Sequence, residues 1–297
     1  ALNSTDGSTS VVKATNTYSG TGGLHQVYLG LGWSPFKGFA IGVNAAYLWG
    51  DYSRSVINSY TDAYANTLSK YYTAEVHNYK LDFGMQYTQK ITKNDAITLG
   101  VTYGLGHKLS SDPKCQIIST NAQTAVADTA TYSIGNGLEL PHSYGVGLMW
   151  NHANRWRVGA DYTLQKWSSV AYPKFDTSTN SYELVSGQFA DRHKMTVGGE
   201  FCPDERSRNF FKRVHYRMGA SYATDYLKIK GQNGPKEYSV SAGFGIPIVN
   251  GYNNRSLLNI SAQWVRQDSK TFVTENSFRI NIGLTFNERW FAKWKME

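Results

Sequence analysis

Along most of this chain, apolar and polar residues alternate with a period of two. In the stretch HQVYLGLGW, Val27, Leu29, Leu31 and Trp33 fall on one side, and Gln26, Tyr28, Gly30 and Gly32 on the other. The same alternation recurs at 39–49, 79–87, 97–105, 144–150, 156–164, 195–201, 214–222, 238–246, 258–264 and 278–286. Side chains of a strand point to opposite faces in turn, so each segment reads as a strand with one oily face and one small or polar face. That makes eleven strands with one grammar. No segment with helical periodicity competes, and no linker interrupts the series, so the chain reads as one domain.

The aromatic residues indicate which solvent the oily face meets. Trp and Tyr gather near the strand ends, while Leu, Ile, Val, Ala and Met fill the middles. Amphipathic rings favour the membrane–water boundary, where transmembrane barrels carry two aromatic girdles. A helical membrane protein would show runs of about 20 apolar residues, and none occurs. The mean hydropathy of −0.44 fits a barrel, because lumen-facing polar residues dilute the apolar ones. Open sheet edges cannot sit in lipid, so such strands must close into a ring. The expected fold is all-β, a transmembrane antiparallel β-barrel. Interface anchors are expected at Trp33, Trp49, Trp150, Trp156, Trp264, Trp290 and Trp294.

The connections alternate between tight joins (34–38, 91–95, 152–154) and long ones (55–72, 111–136, 172–182). Outer-membrane barrels have short periplasmic turns and long external loops. The last four connections do not separate by length. Eleven is odd, whereas bacterial single-chain barrels have even strand numbers. Either 10–18 supplies a twelfth strand, or an N-terminal portion with an odd number of strands is missing; the second is favoured. Three organisational units are expected: an external loop or disordered segment at 1–22, the barrel at 23–288, and a basic-aromatic periplasmic tail at 289–297.

Chemistry adds little. The net charge is +8, but Lys and Arg are scattered rather than clustered, which argues against nucleic acid. Cys115 and Cys202 are expected at opposite ends of the molecule, unpaired and without catalytic role. The seven histidines show no metal-ligand spacing, and His142 and Ser143, as strand neighbours, point to opposite faces. No catalytic, cofactor or metal site is expected, and the chain does not read as an enzyme. The polar faces carry charges expected to line the lumen: Lys80, Asp82, Arg155, Arg157, Asp161, Lys194, Glu200, Arg217 and Arg279. Their mixed sign suits a network that stiffens the interior. Loop 111–136 reads as a solvated external loop, a lid or a docking surface.

Two stretches carry a resemblance. GTGGLHQVYLGLGWSPFKGFAIGVNAAYLWGD (20–51) and FRINIGLTFNERWFAKWKME (278–297) resemble barrel strands and the closing strand of Bacteroidetes members of the FadL/TodX outer-membrane family. The resemblance implies a 14-stranded barrel with an N-terminal hatch; eleven visible strands and three missing ones would make that total. It also implies residence in the outer membrane of a Gram-negative bacterium and passive uptake of hydrophobic small molecules such as fatty acids or aromatic compounds. The rival reading is a non-transporting barrel subunit of an outer-membrane assembly or secretion complex. Expected contacts are outer-membrane lipid and lipopolysaccharide, a hydrophobic ligand, and outer-membrane or periplasmic proteins.

Overall fold

The computed structural model describes residues 12–62, 64–176, 178–229, 231–249, 255–269 and 273–285. In chain order the elements are β1 (Ala14–Phe36), β2 (Phe39–Tyr60), β3 (Thr67–Lys90) and β4 (Asp95–Gly104). A long loop then carries β5 (His107–Leu109), β6 (Lys114–Thr120), β7 (Ala127–Ser133) and β8 (Leu138–Leu140). After β9 (Ser143–His152) and β10 (Trp156–Gln165), a second loop carries β11 (Tyr172–Asp176) and β12 (Ser181–Val185). β13 (Arg192–Phe201) leads through the one-turn helix α1 (Phe210–Arg213) to β14 (His215–Ala223). A short β15 (Lys228–Ile229) and β16 (Gln232–Asn233) precede β17 (Lys236–Val249), β18 (Arg255–Asp268) and β19 (Glu275–Thr285).

The main sheet has 13 strands, of which β6 and β7 lie off the path β1-β2-β3-β4-β9-β10-β13-β14-β17-β18-β19. The eleven strands of that path are the eleven alternating segments. All neighbours are antiparallel and pair in register, with Val158 opposite Gly199 and Ala160 opposite Val197. β1 and β19 are the edges of the path and do not pair with each other among the described residues. No helix among these residues is long and apolar enough to cross a membrane; the strands make the wall.

The two faces of the wall differ as the alternation requires. Large apolar side chains on one face stay uncovered by protein: Leu29 is 70% exposed, Met218 74% and Ile282 73%. The opposite face is built of Gly, Ser, Thr, Asn and charged residues. A water-soluble sheet would hide the first face and wet the second; here the apolar face turns outward to lipid.

The short turns gather at one end and the long loops at the other, so the first is periplasmic and the second external. The blurred length pattern in the second half has a cause: the periplasmic connection between β13 and β14 contains α1, which makes it as long as an external loop. The external join between β2 and β3 is short because both strands overrun the membrane and stay paired as far as Asn58 opposite Leu68. β1 overruns with them, pairing Ala14 with Tyr60. The 14–22 stretch, expected as loop, is therefore the outer end of β1, and among the described residues 14–18 belong to that strand rather than to a separate twelfth one. Its Ser, Thr and Asn residues have no oily face to present because this part of the strand stands in water. Where it leaves the membrane the strands press together at glycines: a Cβ on Gly50, whose φ is +148°, would lie 2.2 Å from the Gly23 carbonyl oxygen.

Dry packing among the described residues is concentrated at the two ends of the barrel. Leu48, Ala74, Val76, Leu109, Cys115, Val170, Phe175 and Phe189 form an external core, while Cys202 and Val214 are buried at the periplasmic end. Both cysteines are free, as expected.

Candidate functional site

The first feature is a charged network on the lumen wall. Arg157, Glu200 and Arg217 stand side by side on β10, β13 and β14, each pairing with the next across the ladder. Period-two geometry turns all three inward. Glu200 accepts from Arg157 Nη1 at 3.0 Å and from Arg217 Nε at 2.6 Å, and its Oε1 lies 3.1 Å from His215 Nδ1. Arg217 then reaches over β17 to donate to Asn259 Oδ1 at 2.6 Å. It can do so because Gly243 is the residue opposite it. A Cβ on Gly245, the next inward position, would approach the guanidinium to 3.3 Å. Asn259 passes the chain on to Thr285 Oγ1 at 3.3 Å. One carboxylate thus ties three cationic or titratable groups, and the network spans six consecutive wall strands from β10 to β19.

The remaining charges expected in the lumen behave differently. Lys80 and Asp82 form an ion pair with each other on β3. Asp161 and Lys194 face inward on β10 and β13 without pairing to one another. Arg279 is on the inward side of the edge strand β19, opposite Gln263. Arg155 is a correction: it lies in the turn before β10, its N–H bonded to the His152 carbonyl, and lines no lumen. Positive φ at Ala153 and Asn154 closes the chain there one residue later than the alternation suggests. His215 and Asn259 were missed as partners, although their inward parity was legible.

The five expected anchors that fall among the described residues sit on the apolar face. Trp33, Trp150 and Trp156 stand near the periplasmic end, with the Trp150 indole donating to Asp95 at 3.1 Å and Trp156 stacked on Phe201. Trp49, beside Tyr47 and His25, and Trp264 stand near the external end. Trp290 and Trp294 lie outside the described residues. Trp167, another strand-end tryptophan, belongs instead to the external loops, stacked on Tyr226 and tilted against Phe189.

The second feature is a cap over the external mouth. Residues 105–142 are largely ordered: β6 takes over from β4 beside the outer half of β3, and β7 pairs with β6. On this raised wall, Tyr52, Lys70, Tyr72, Cys115 and Tyr132 share the lumen-facing side, since strand parity carries through from Leu48 and Lys80. The β11–β12 hairpin springs from between β10 and β13, yet packs against those residues. Tyr172 neighbours Tyr52, Phe175 meets the Tyr132 ring at 5.2 Å, and the Lys70 ammonium stands 5.3 Å over the Phe175 ring. β10 and β3 are separated by β4 and β9, roughly 15 Å of wall. A hairpin rooted at one and packed on the inner side of the other lies across the opening.

The base of this loop is clamped. Lys166, just after β10, pairs with Asp191, just before β13, at 2.5 Å. Burial alone would raise the Asp191 pKa, but Lys166 and the Ser168 hydrogen bonds bring it down to about 2. The carboxylate's contribution is complete above the ordinary carboxylate range and fades as pH falls toward 2.

The tyrosines titrate at the opposite extreme. Burial, then the Tyr172 neighbour, pushes Tyr52 far above the ordinary phenol value, and burial, then Cys115, pushes Tyr72 up to about 12. Burial raises Tyr182 as well. A raised folded pKa stabilises the packed state below the unfolded value near 10, and that stability is lost as pH rises through the folded value. An absorbance titration at 295 nm should therefore show most tyrosines ionising near pH 10 and a separate late group at about pH 12 or beyond. A single step near pH 10 would mean the cap is not packed.

Known structures share this fold. The CymD monoaromatic hydrocarbon channel is 13% identical, with a TM-score of 0.54, covering 95% of this chain and 89% of its own. The Ralstonia pickettii toluene transporter TbuX is 12% identical (TM-score 0.59, covering 91% and 68%). A Pseudomonas aeruginosa FadL homologue is 14% identical (TM-score 0.55, covering 84% and 60%), so the chain spans less than two thirds of that protein. At such identities the likeness establishes a FadL-type outer-membrane barrel fold and nothing finer. No curated protein matches the sequence. The BamG family model matches residues 1–297, and this chain therefore belongs to the BamG family.

Proposed function

We propose that this protein is a non-transporting barrel subunit of an outer-membrane assembly complex in a Gram-negative bacterium, held to partner proteins rather than serving as a route for solutes. The observation that carries this reading is the chemistry of the inner wall. A path for hydrophobic compounds needs apolar side chains facing the lumen. Here the inward rows include Gln86, Thr98, Gly100, Thr102, Gly145, Gly147, Asp161, Thr163, Lys194, Thr196 and Glu200, with Met149 the apolar member of the same lining, while most of the large apolar residues face out. The cap across the external mouth adds to it, and so does a family name that points to assembly. Mild-detergent extraction from native membranes followed by native mass spectrometry tests the reading. The expected result is a particle heavier than the barrel, containing other outer-membrane proteins. A lone barrel that binds toluene or a long-chain fatty acid would overturn it.

The second reading is passive uptake of hydrophobic small molecules. It rests on the fold shared with a hydrocarbon channel and a toluene transporter. On this reading the apolar pocket would have to come from something other than the described wall.

A further inference from the structure

The connection between β13 and β14 is the longest periplasmic one among the described residues, and its composition is unlike that of a turn. It reads CPDERSRNFFKRV, with Arg206, Arg208, Lys212 and Arg213 against Asp204 and Glu205. It is built rather than slack. The Asn209 side chain caps the Phe211 N–H at 3.0 Å, and Asp204 N–H bonds the Lys212 carbonyl at 2.9 Å. Cys202 and Val214 are buried at its two ends. Despite this order it displays its oily residues: Phe210 is 44% exposed and Phe211 71%. Arg206, Arg208 and Lys212 beside them are exposed as well.

The position of the loop says what covers those rings. Tyr216 belongs to the outward, apolar row of β14, beside Phe244 of β17 and opposite Phe201 of β13. Its hydroxyl donates to the Phe211 carbonyl at 3.0 Å. The loop is therefore hung on the lipid side of the wall at its periplasmic rim, and Phe210 and Phe211 continue the belt of Trp156, Phe201, Tyr216 and Phe244. Aromatic rings at that level with cations just beyond them fit one environment, the headgroup layer of a membrane leaflet.

We propose that this loop is a binding site for anionic phospholipid of the periplasmic leaflet, with Phe210 and Phe211 among the acyl chains and Arg206, Arg208 and Lys212 at the phosphates. The proposal is independent of what the barrel does with partners or solutes. Guanidinium groups suit phosphate by their paired donors, and each basic group near an anionic surface adds to the attraction.

The test uses the full-length protein in detergent, titrated with phosphatidylglycerol or with phosphatidylcholine of the same acyl chains and read by native mass spectrometry. The wild type should retain phosphatidylglycerol in preference to phosphatidylcholine. The double variant Arg208→Glu, Lys212→Glu should lose that preference, with an apparent affinity lower by roughly tenfold or more. Phe211→Ser should weaken retention of both lipids. Heat-modified gel mobility checks that the barrel is folded; should the double variant fail it, Arg208→Gln alone serves and should lower the preference part way. Equal retention of the two lipids by the wild type overturns the proposal. So does unchanged preference in a folded variant, and so does loss of a periplasmic protein from the complex with lipid retention unaltered.

Discussion

Replacing residues 172–185 with a short Gly-Ser link should open the barrel interior to the outside. The hairpin packs by Tyr172 on Tyr52 and by Phe175 against Tyr132 and Lys70, all on the inner side of the raised wall. Nothing in the strands below depends on it, so the wall should survive its removal. The readout is a thiol placed at an inward position, Thr196→Cys, labelled by a small hydrophilic maleimide added outside intact cells. The native cysteines are buried and should contribute little background. A closed element protects what it covers by the free energy of its opening, and each 1.4 kcal/mol of closure slows labelling about tenfold. The ring contact of Phe175 with Tyr132, the Lys70 ammonium over Phe175 and the Tyr172–Tyr52 neighbourhood make a slowing of at least about tenfold the expected effect. Tyr172→Ala with Phe175→Ala should give part of the same acceleration. Equal labelling with and without the hairpin would show that it does not cover the mouth.

Removing the Glu200 carboxylate should be the most damaging single change within the wall. Glu200→Leu leaves Arg157, Arg217 and His215 turned toward one another with no counter-charge. Breaking a fully buried ion pair from one side costs about 3–5 kcal/mol. The Glu200 side chain is 17% exposed but the two guanidinium groups are about 40% exposed, so water recovers part of that cost. A loss of roughly 2–3 kcal/mol is expected. It should appear as a lower unfolding temperature in detergent and earlier loss of the compact band on a heat-titrated gel. Glu200→Gln keeps an acceptor for one guanidinium and should lose about half as much. Gly245→Val should act in the same direction by crowding Arg217 away from Asn259. Equal stability of Glu200→Leu and the wild type would reduce the network to a surface ornament of the lumen.

The Lys80–Asp82 pair shows why charge lists from sequence convert poorly into energies. Its partners are two residues apart on one strand and about 40% exposed, so the pair ties no strands together and should matter little. Glu200 looks no different in the sequence. Only the ladder, which sets Arg157 and Arg217 at its two sides, makes it a junction.

The number and place of the wall strands, their alternating faces and the oily side were all legible from residue parity, because a strand has two faces and a barrel has two solvents. The same parity put Glu200, Arg217 and Asp161 inside. It failed where strands leave the membrane: at Ala14–Gly23 the solvent is water on both sides, so the pattern fades while the pairing with β2 continues. It failed again at Arg155, where a turn shifts the count.

What the sequence by itself determined, then, is a wall with an apolar outside and a polar inside, since period-two patterning is a local property that each strand carries alone. The tertiary structure alone decided that Tyr172 and Phe175 reach Tyr52 and Tyr132 across the mouth, and that one carboxylate gathers Arg157, Arg217 and His215. Those contacts join residues far apart in the chain, and their partners follow from register and curvature, which no single segment encodes.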